Sequence, residues 1–150
     1  MIVRAQGLNR GGLACDLAAL LGERDILRAK GSARNADARI RVAALRGDEP
    51  PSGFEADRGA RQRARAAAQE WRRRLKVRQD DGDVTDDTGV LIALAYPDRI
   101  ARRRPPPTQK TGREIGLAYR LANGKGATFS QPDPLAREEW LAVEIGRAHV

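Results

Sequence analysis

The residue types that carry most metal and nucleophilic chemistry are nearly missing: 150 residues hold one cysteine, Cys15, and one histidine, His149. An internal disulfide, a Cys/His zinc site and a histidine-based triad are thereby excluded. Aromatic residues make up only 4% of the chain, so a core drawn from its 41% hydrophobic residues must be a modest one of Leu, Ala, Val and Ile. No apolar run approaches the ~20 residues of a membrane span. The opening Met1-Ile2-Val3-Arg4 lacks the apolar stretch of a signal peptide. A cytoplasmic protein with no membrane partner, built as one or two small domains, is expected.

Known chemical motifs fail in the same way. A phosphate-binding loop around Gly124-Lys125 would need a glycine where Tyr119 stands and Ser or Thr where Gly126 stands. A calcium loop starting at Asp81 meets Asp86 where glycine is required and Ile92 where glutamate is required. No G-x-S-x-G nucleophile elbow occurs. Accordingly no catalytic, cofactor-binding or metal-binding residue is assigned.

What the chain does have is positive charge, a formal +8 from 28 Lys+Arg against 20 Asp+Glu. Lysine occurs only at positions 30, 76, 110 and 125, and this arginine-, alanine- and glycine-rich composition is what a GC-rich coding sequence imposes without selection for binding. Segregation of the charge is more informative. Arg58, Arg61, Arg63, Arg65, Arg72, Arg73, Arg74, Lys76 and Arg78 are interrupted by a single acid, Glu70, and are followed by Asp80, Asp81, Asp83, Asp86 and Asp87. Blocks of one sign suggest faces turned to different partners, and a basic face attracts phosphate.

Apolar spacing makes the first part helical. Leu13, Leu17, Leu20 and Leu21 form one stripe ending near Gly22; Asp25 is placed to cap a turn carrying Ile26 and Leu27; Ile40, Ala43 and Ala44 continue to Gly47, before a loop over 48–53. The longest helix is predicted from the seam Ala60, Ala64, Ala67, Ala68, Trp71 and Leu75. Thr85 to Asp87 are expected to cap a helix carrying Val90, Leu91, Leu94 and Ala95, with Pro97 starting a further turn through Arg104. Pro105-Pro106-Pro107 then reads as an extended spacer. Beyond it strands are predicted over 117–121, 127–129 and 140–143, the first two joined at Asn123-Gly124, whose residues tolerate the positive φ of a tight hairpin. Three strands leave an unfinished sheet with an exposed edge.

Several residues admit both a structural and a functional reading. Trp71, on the alanine seam, is expected to be a core anchor rather than a stacking surface. Cys15 is expected to be a small buried hydrophobe. Asp86-Asp87 suit a helix start better than acid/base chemistry. Arg99, Arg102, Arg103 and Arg104, within six residues, form a dense positive field suited to phosphate.

Taken in order, residues 13–21, 93–104 with the distinctive Tyr96-Pro97-Asp98-Arg99, 119–127 with the Asn-Gly turn, 133–136 and 140–143 resemble the region following the ATPase lobes in the HrpB-type DEAH-box family of bacterial ATP-dependent helicases. The resemblance implies an α+β fold: an N-terminal helical bundle of the helicase-associated, ratchet-like kind over 1–104, a linker over 105–113, and the start of a truncated OB-like antiparallel segment over 114–144. It also implies that both parts border the channel for single-stranded nucleic acid. The family's P-loop, its Asp-Glu-x-His box and its arginine fingers have no counterpart here. The chain is therefore expected to be a fragment without ATP hydrolysis of its own. The ATP and Mg of the NTP-hydrolysing parent would belong to ATPase lobes outside it, and those lobes would be its partners. An OB-fold has about five strands, more than the three predicted. Ile145-Gly146-Arg147-Ala148-His149-Val150 matches a translated sequencing adapter and is set aside as a non-native tail.

On this reading the chain is an accessory part of a nucleic-acid track that binds single-stranded RNA or DNA, with Arg72, Arg73, Arg74, Lys76, Arg99, Arg102, Arg103, Arg104 and Lys125 as candidate phosphate contacts. The alternative is a stand-alone basic helical scaffold or adaptor docking an acidic protein. A DNA-binding regulator fits less well, because no helix-turn-helix pair is evident.

Overall fold

In the computed structural model, residues 1–78, 80, 83–104 and 118–143 are described, and they form two compact units. The first comprises residues 1–33 and 37–91. Here α1 (Ile2–Gln6) precedes α2 (Gly11–Gly22), which packs along α4 (Arg58–Arg74). Ala60, Ala64 and Ala68 are buried on α4 and present only methyl groups, so the leucines of α2 can approach closely. Ile26, Leu27, Ala44 and Leu45 join Ala60 and Ala64 in one cluster, with Leu20, Ile40 and Phe54 at its margin. Asp37 caps α3 (Ala38–Arg46) through a bond from the Arg39 N–H, and Gly47, at φ 127°, ends it. Cys15 is buried as expected, and that burial pushes its thiol pKa up.

Two readings of this unit need correction. The turn after Asp25 is not helical: the Asp25 carboxylate accepts the Leu27 N–H at 3.0 Å, a local bond that competes with helix, and β1 (Leu27–Ala29) pairs antiparallel with β2 (Phe54–Ala56). Trp71 is not a core anchor but is 41% exposed. The buried stripe of α4 runs through Ala60, Ala64 and Ala68 in four-residue steps and reaches Arg72 next, which bonds to the Gly12 carbonyl, so Trp71 falls to the side of the stripe.

The second unit comprises residues 34–36 and 92–150, of which 34–36, 92–104 and 118–143 are described. The first unit thus ends at Leu91 rather than at 104, within α5 (Thr88–Ala95). Pro97 does start a turn, a 3₁₀ turn over Pro97–Arg99, but Ile100–Arg103 is a strand, β3, not a helical continuation. It joins the expected strands, β4 (Ala118–Leu121), β5 (Gly126–Thr128) and β6 (Trp140–Ala142), in an antiparallel sheet of order β5-β4-β3-β6. The fold is α+β as expected.

Ala101, Tyr119 and Leu121 form the inner face of the sheet with Ala127, Phe129, Leu141 and Val143 around them. The Tyr119 hydroxyl lies 2.7 Å from the Glu138 carbonyl and 3.1 Å from that of Ala136, and so ties the 3₁₀ turn Pro134–Arg137 to the sheet. Its ring meets Phe129 edge to face at 5.9 Å. Asp133 caps the same turn through the Leu135 N–H at 2.9 Å and accepts the Ala36 N–H at 2.7 Å. At the hairpin only Gly124 has positive φ, at 87°, while Asn123 accepts the Lys125 N–H at 3.1 Å. The Gly124 N–H bonds to Leu121 O and the Leu121 N–H to Lys125 O, the three-residue loop with a terminal glycine rather than the two-residue turn. The linker over 105–113 and the tail over 145–150 lie outside the described residues.

Candidate nucleic-acid interface

In the first unit Arg72, Arg73 and Arg74 have acidic partners, and of these Arg72 joins one helix to another. Asp16, 3% exposed on α2, accepts Arg72 at 2.6 Å and Arg46 at 3.0 Å. Asp80 supplies the missing N-cap of α2, accepting the Gly12 N–H at 2.8 Å and the Leu13 N–H at 2.5 Å, with Arg46 3.6 Å away. Gly12 is required by this approach, because a Cβ there would lie 2.8 Å from the Asp80 carboxylate. Two acids and two arginines therefore neutralise one another where three helices meet, and Arg72 is a structural clamp. Arg73 and Arg74 both pair with Glu70 within one turn of α4, Arg74 at 2.5 Å.

Lys76 is placed differently. The Val77 N–H bonds to Arg72 O and the Lys76 N–H to Arg73 O, a paired cap that puts Lys76 at φ 49°, the position glycine usually fills. Exposed Lys76 and Arg78 border an open cleft of about 310 Å³ with Gln6, Asn9, Gly11, Val77 and Asp80. The acids Asp86 and Asp87 are ion-pair partners rather than caps, of Arg39 at 3.6 Å and of Arg10 respectively, while Asp83 accepts the Thr85 N–H at 3.0 Å. No group of three metal-ligating side chains occurs among the described residues.

Asp57, at the start of α4, is held well below the usual carboxylate range. Its carboxylate accepts the Ala60 N–H at 3.0 Å and two arginines, Arg28 at 2.6 Å and Arg24 at 3.1 Å. First the backbone bond, then Arg28, lowers its pKa to about 2.

In the second unit the remaining candidates lie on β3 and just after it, in the turn before it, and in the hairpin between β4 and β5. Arg102, Arg103 and Arg104 are exposed at the end of β3, and Lys125 is exposed in the hairpin loop. Arg103 donates to the Arg137 carbonyl at 2.9 Å. Arg99 lies over the Tyr96 ring at 4.7 Å, with the Asp98 carboxylate at 4.0 Å. Arg102 reaches Glu139 at 3.2 Å and lies over the Trp140 ring at 5.2 Å. The candidates thus divide between the units: Arg72, Arg73, Arg74 and Lys76 in one, Arg99, Arg102, Arg103, Arg104 and Lys125 in the other.

No protein-family model matches the sequence. The chain is 36% identical over 121 residues to the ATP-dependent RNA helicase HrpB of Escherichia coli strain K12, covering 76% of this chain and 14% of that protein. This chain is an HrpB-like segment. A crystal structure of the Escherichia coli DExH-box NTPase HrpB matches it with a TM-score of 0.58 and 28% identity over 93% of this chain. A second, of the Escherichia coli DEAH/RHA helicase HrpB, gives 0.58 and 29% over 91%. The chain spans 14% of each HrpB chain, so the likeness concerns one segment of those proteins.

Two residues of this HrpB-like segment escaped the sequence reading although they share the face that carries Arg102: Arg120 and Trp140, both exposed. A signal was present. In residues 118–121 Tyr119 and Leu121 are the inward pair, and in 140–143 Leu141 and Val143 are, so period-two alternation sends Arg120 and Trp140 outward. Among the described residues no helix is long and apolar enough to cross a membrane.

Proposed function

We propose that this HrpB-like chain is an accessory, nucleic-acid-contacting segment of a DEAH-type, ATP-dependent RNA helicase. The observation that carries the reading is the HrpB likeness along most of the chain, in sequence and in fold alike. ATP and Mg chemistry belongs to helicase regions with which the chain does not align, since it holds neither a P-loop nor an Asp-Glu-x-His box. The role left to it is to hold a single strand of RNA or DNA while other parts of such a helicase move. Phosphates would be met by Lys76 in one unit and by Arg99, Arg102, Arg103, Arg104 and Lys125 in the other, of which Arg99, Arg102 and Arg103 also make contacts within the fold.

The test is a competition at low salt. The full chain should bind labelled single-stranded RNA or DNA with little base preference, and polyglutamate should displace it poorly. Tighter binding of polyglutamate than of either oligonucleotide would favour the scaffold or adaptor reading instead.

A further inference from the structure

Strand pairing sets four exposed positions in a single row across the second unit: Trp140 on β6 is opposite Arg102 on β3, Arg102 is opposite Arg120 on β4, and Arg120 is opposite Gly126 on β5. Three strand spacings of ~4.8 Å make this row about 14 Å long. Its composition is unusual for a merely solvated face. Arg102 and Arg120 are like charges directly opposite each other, an arrangement that costs a sheet stability. Among the described residues only Arg102 of the two has a carboxylate near it, Glu139 at 3.2 Å, and both members of that pair are more than half exposed. Trp140 is 57% exposed, and the Arg102 guanidinium lies over its ring at 5.2 Å from the centroid. Gly126, at the far end, leaves the surface low.

The geometry points to this row as a base-stacking platform for single-stranded nucleic acid. A base lies on the free face of the Trp140 indole, and Arg102 and Arg120 meet the phosphates running over β3 and β4. The inference rests on the nucleic-acid reading above and adds to it residues the sequence did not single out. Charge and aromatic chemistry select the occupant. The cations suit a polyanion, and an exposed indole beside them suits one with planar rings, which an acidic polypeptide lacks. Glu139 acts here as a counter-ion displaced on binding.

The experiment uses the full chain with Trp71→Phe, which leaves Trp140 as the only indole, titrated with single-stranded RNA or DNA, with an abasic oligonucleotide of equal length, and with polyglutamate. Emission from Trp140 is expected to be quenched by the base-bearing oligonucleotide and little changed by the other two. Trp140→Ala is expected to weaken binding at least about fivefold, Trp140→Phe to retain most of it, and Glu139→Gln to tighten it. Trp140 and Glu139 side chains are exposed, so these variants keep the fold. Oligonucleotide binding that leaves Trp140 emission unchanged, or abasic and base-bearing strands bound alike, would overturn the platform while leaving the helicase-segment reading intact. Failure to bind any oligonucleotide would sink both.

Discussion

The two units use the same residue, arginine, for opposite purposes. In the first, Arg72 and Arg46 close on Asp16, Arg28 and Arg24 on Asp57, Arg63 on Glu23, and Arg73 and Arg74 on Glu70. In the second, Arg102 faces Arg120 across the sheet and Arg104 follows on the same exposed strand. Charge density along the sequence is therefore a poor guide to a binding surface. Within the densest run, from Arg58 to Arg78, Arg63, Arg65 and Arg72 are engaged with other elements, while Arg73 and Arg74 pair with Glu70 on the same helix. What distinguishes the sheet is that strand register sets cations side by side with few acids to answer them among the described residues.

The sharpest way to break this comparison is to remove an acid from the first unit. Asp16→Ala should cost about 2–3 kcal/mol in urea unfolding, less than the ~3–5 of a fully buried pair because Arg46 and Arg72 are partly exposed. Oligonucleotide affinity of the folded protein should scarcely change. Next, Tyr119→Phe should cost about 1–1.5 kcal/mol by freeing the turn that its hydroxyl holds, measured in the same way.

Acidity gives a third contrast. Asp57 has a folded pKa of about 2, below its ordinary 3.8, so its contribution is complete above the unfolded value and is lost as pH falls through the folded one. The urea midpoint of the wild type should fall between pH 4 and pH 2. Asp57→Asn, which keeps the cap acceptor but no charge, should flatten part of that fall. The smallest effect is expected at Lys76, where Lys76→Gly should stabilise the first unit by roughly 0.5–1 kcal/mol by relieving a left-handed lysine. If Lys76 meets phosphate, the same variant should bind oligonucleotide more weakly.

Much of this was legible in the sequence, and the strands that were not share a cause. The helices α2, α3 and α4 and the hairpin of β4 and β5 follow from local spacing and turn residues. β1, β2 and β3 were missed because each is made a strand by a partner distant along the chain: β1 and β2 by each other, and β3 by both Ala118–Leu121 and Trp140–Ala142. Residues 100–103 alone, Ile-Ala-Arg-Arg, favour helix as readily as strand. The candidate site divided along the same line. Arg102 and Lys125 stood out locally, but Arg72 was claimed by Asp16, 56 residues away, and Arg120 and Trp140 became neighbours of Arg102 only through register.

The most direct test of the central claim is the salt dependence of single-stranded oligonucleotide affinity, compared between the two units. For a strand neutralised at three or four positions, the plot of log affinity against log salt should have a slope of about −2 to −3. Replacing Arg102 and Arg120 together by glutamine should make that slope shallower by about 1.4, while replacing Arg73 and Arg74 should leave it nearly unchanged. Equal losses from both pairs, or a wild-type slope near zero, would contradict the assignment of the sheet as the phosphate-facing surface.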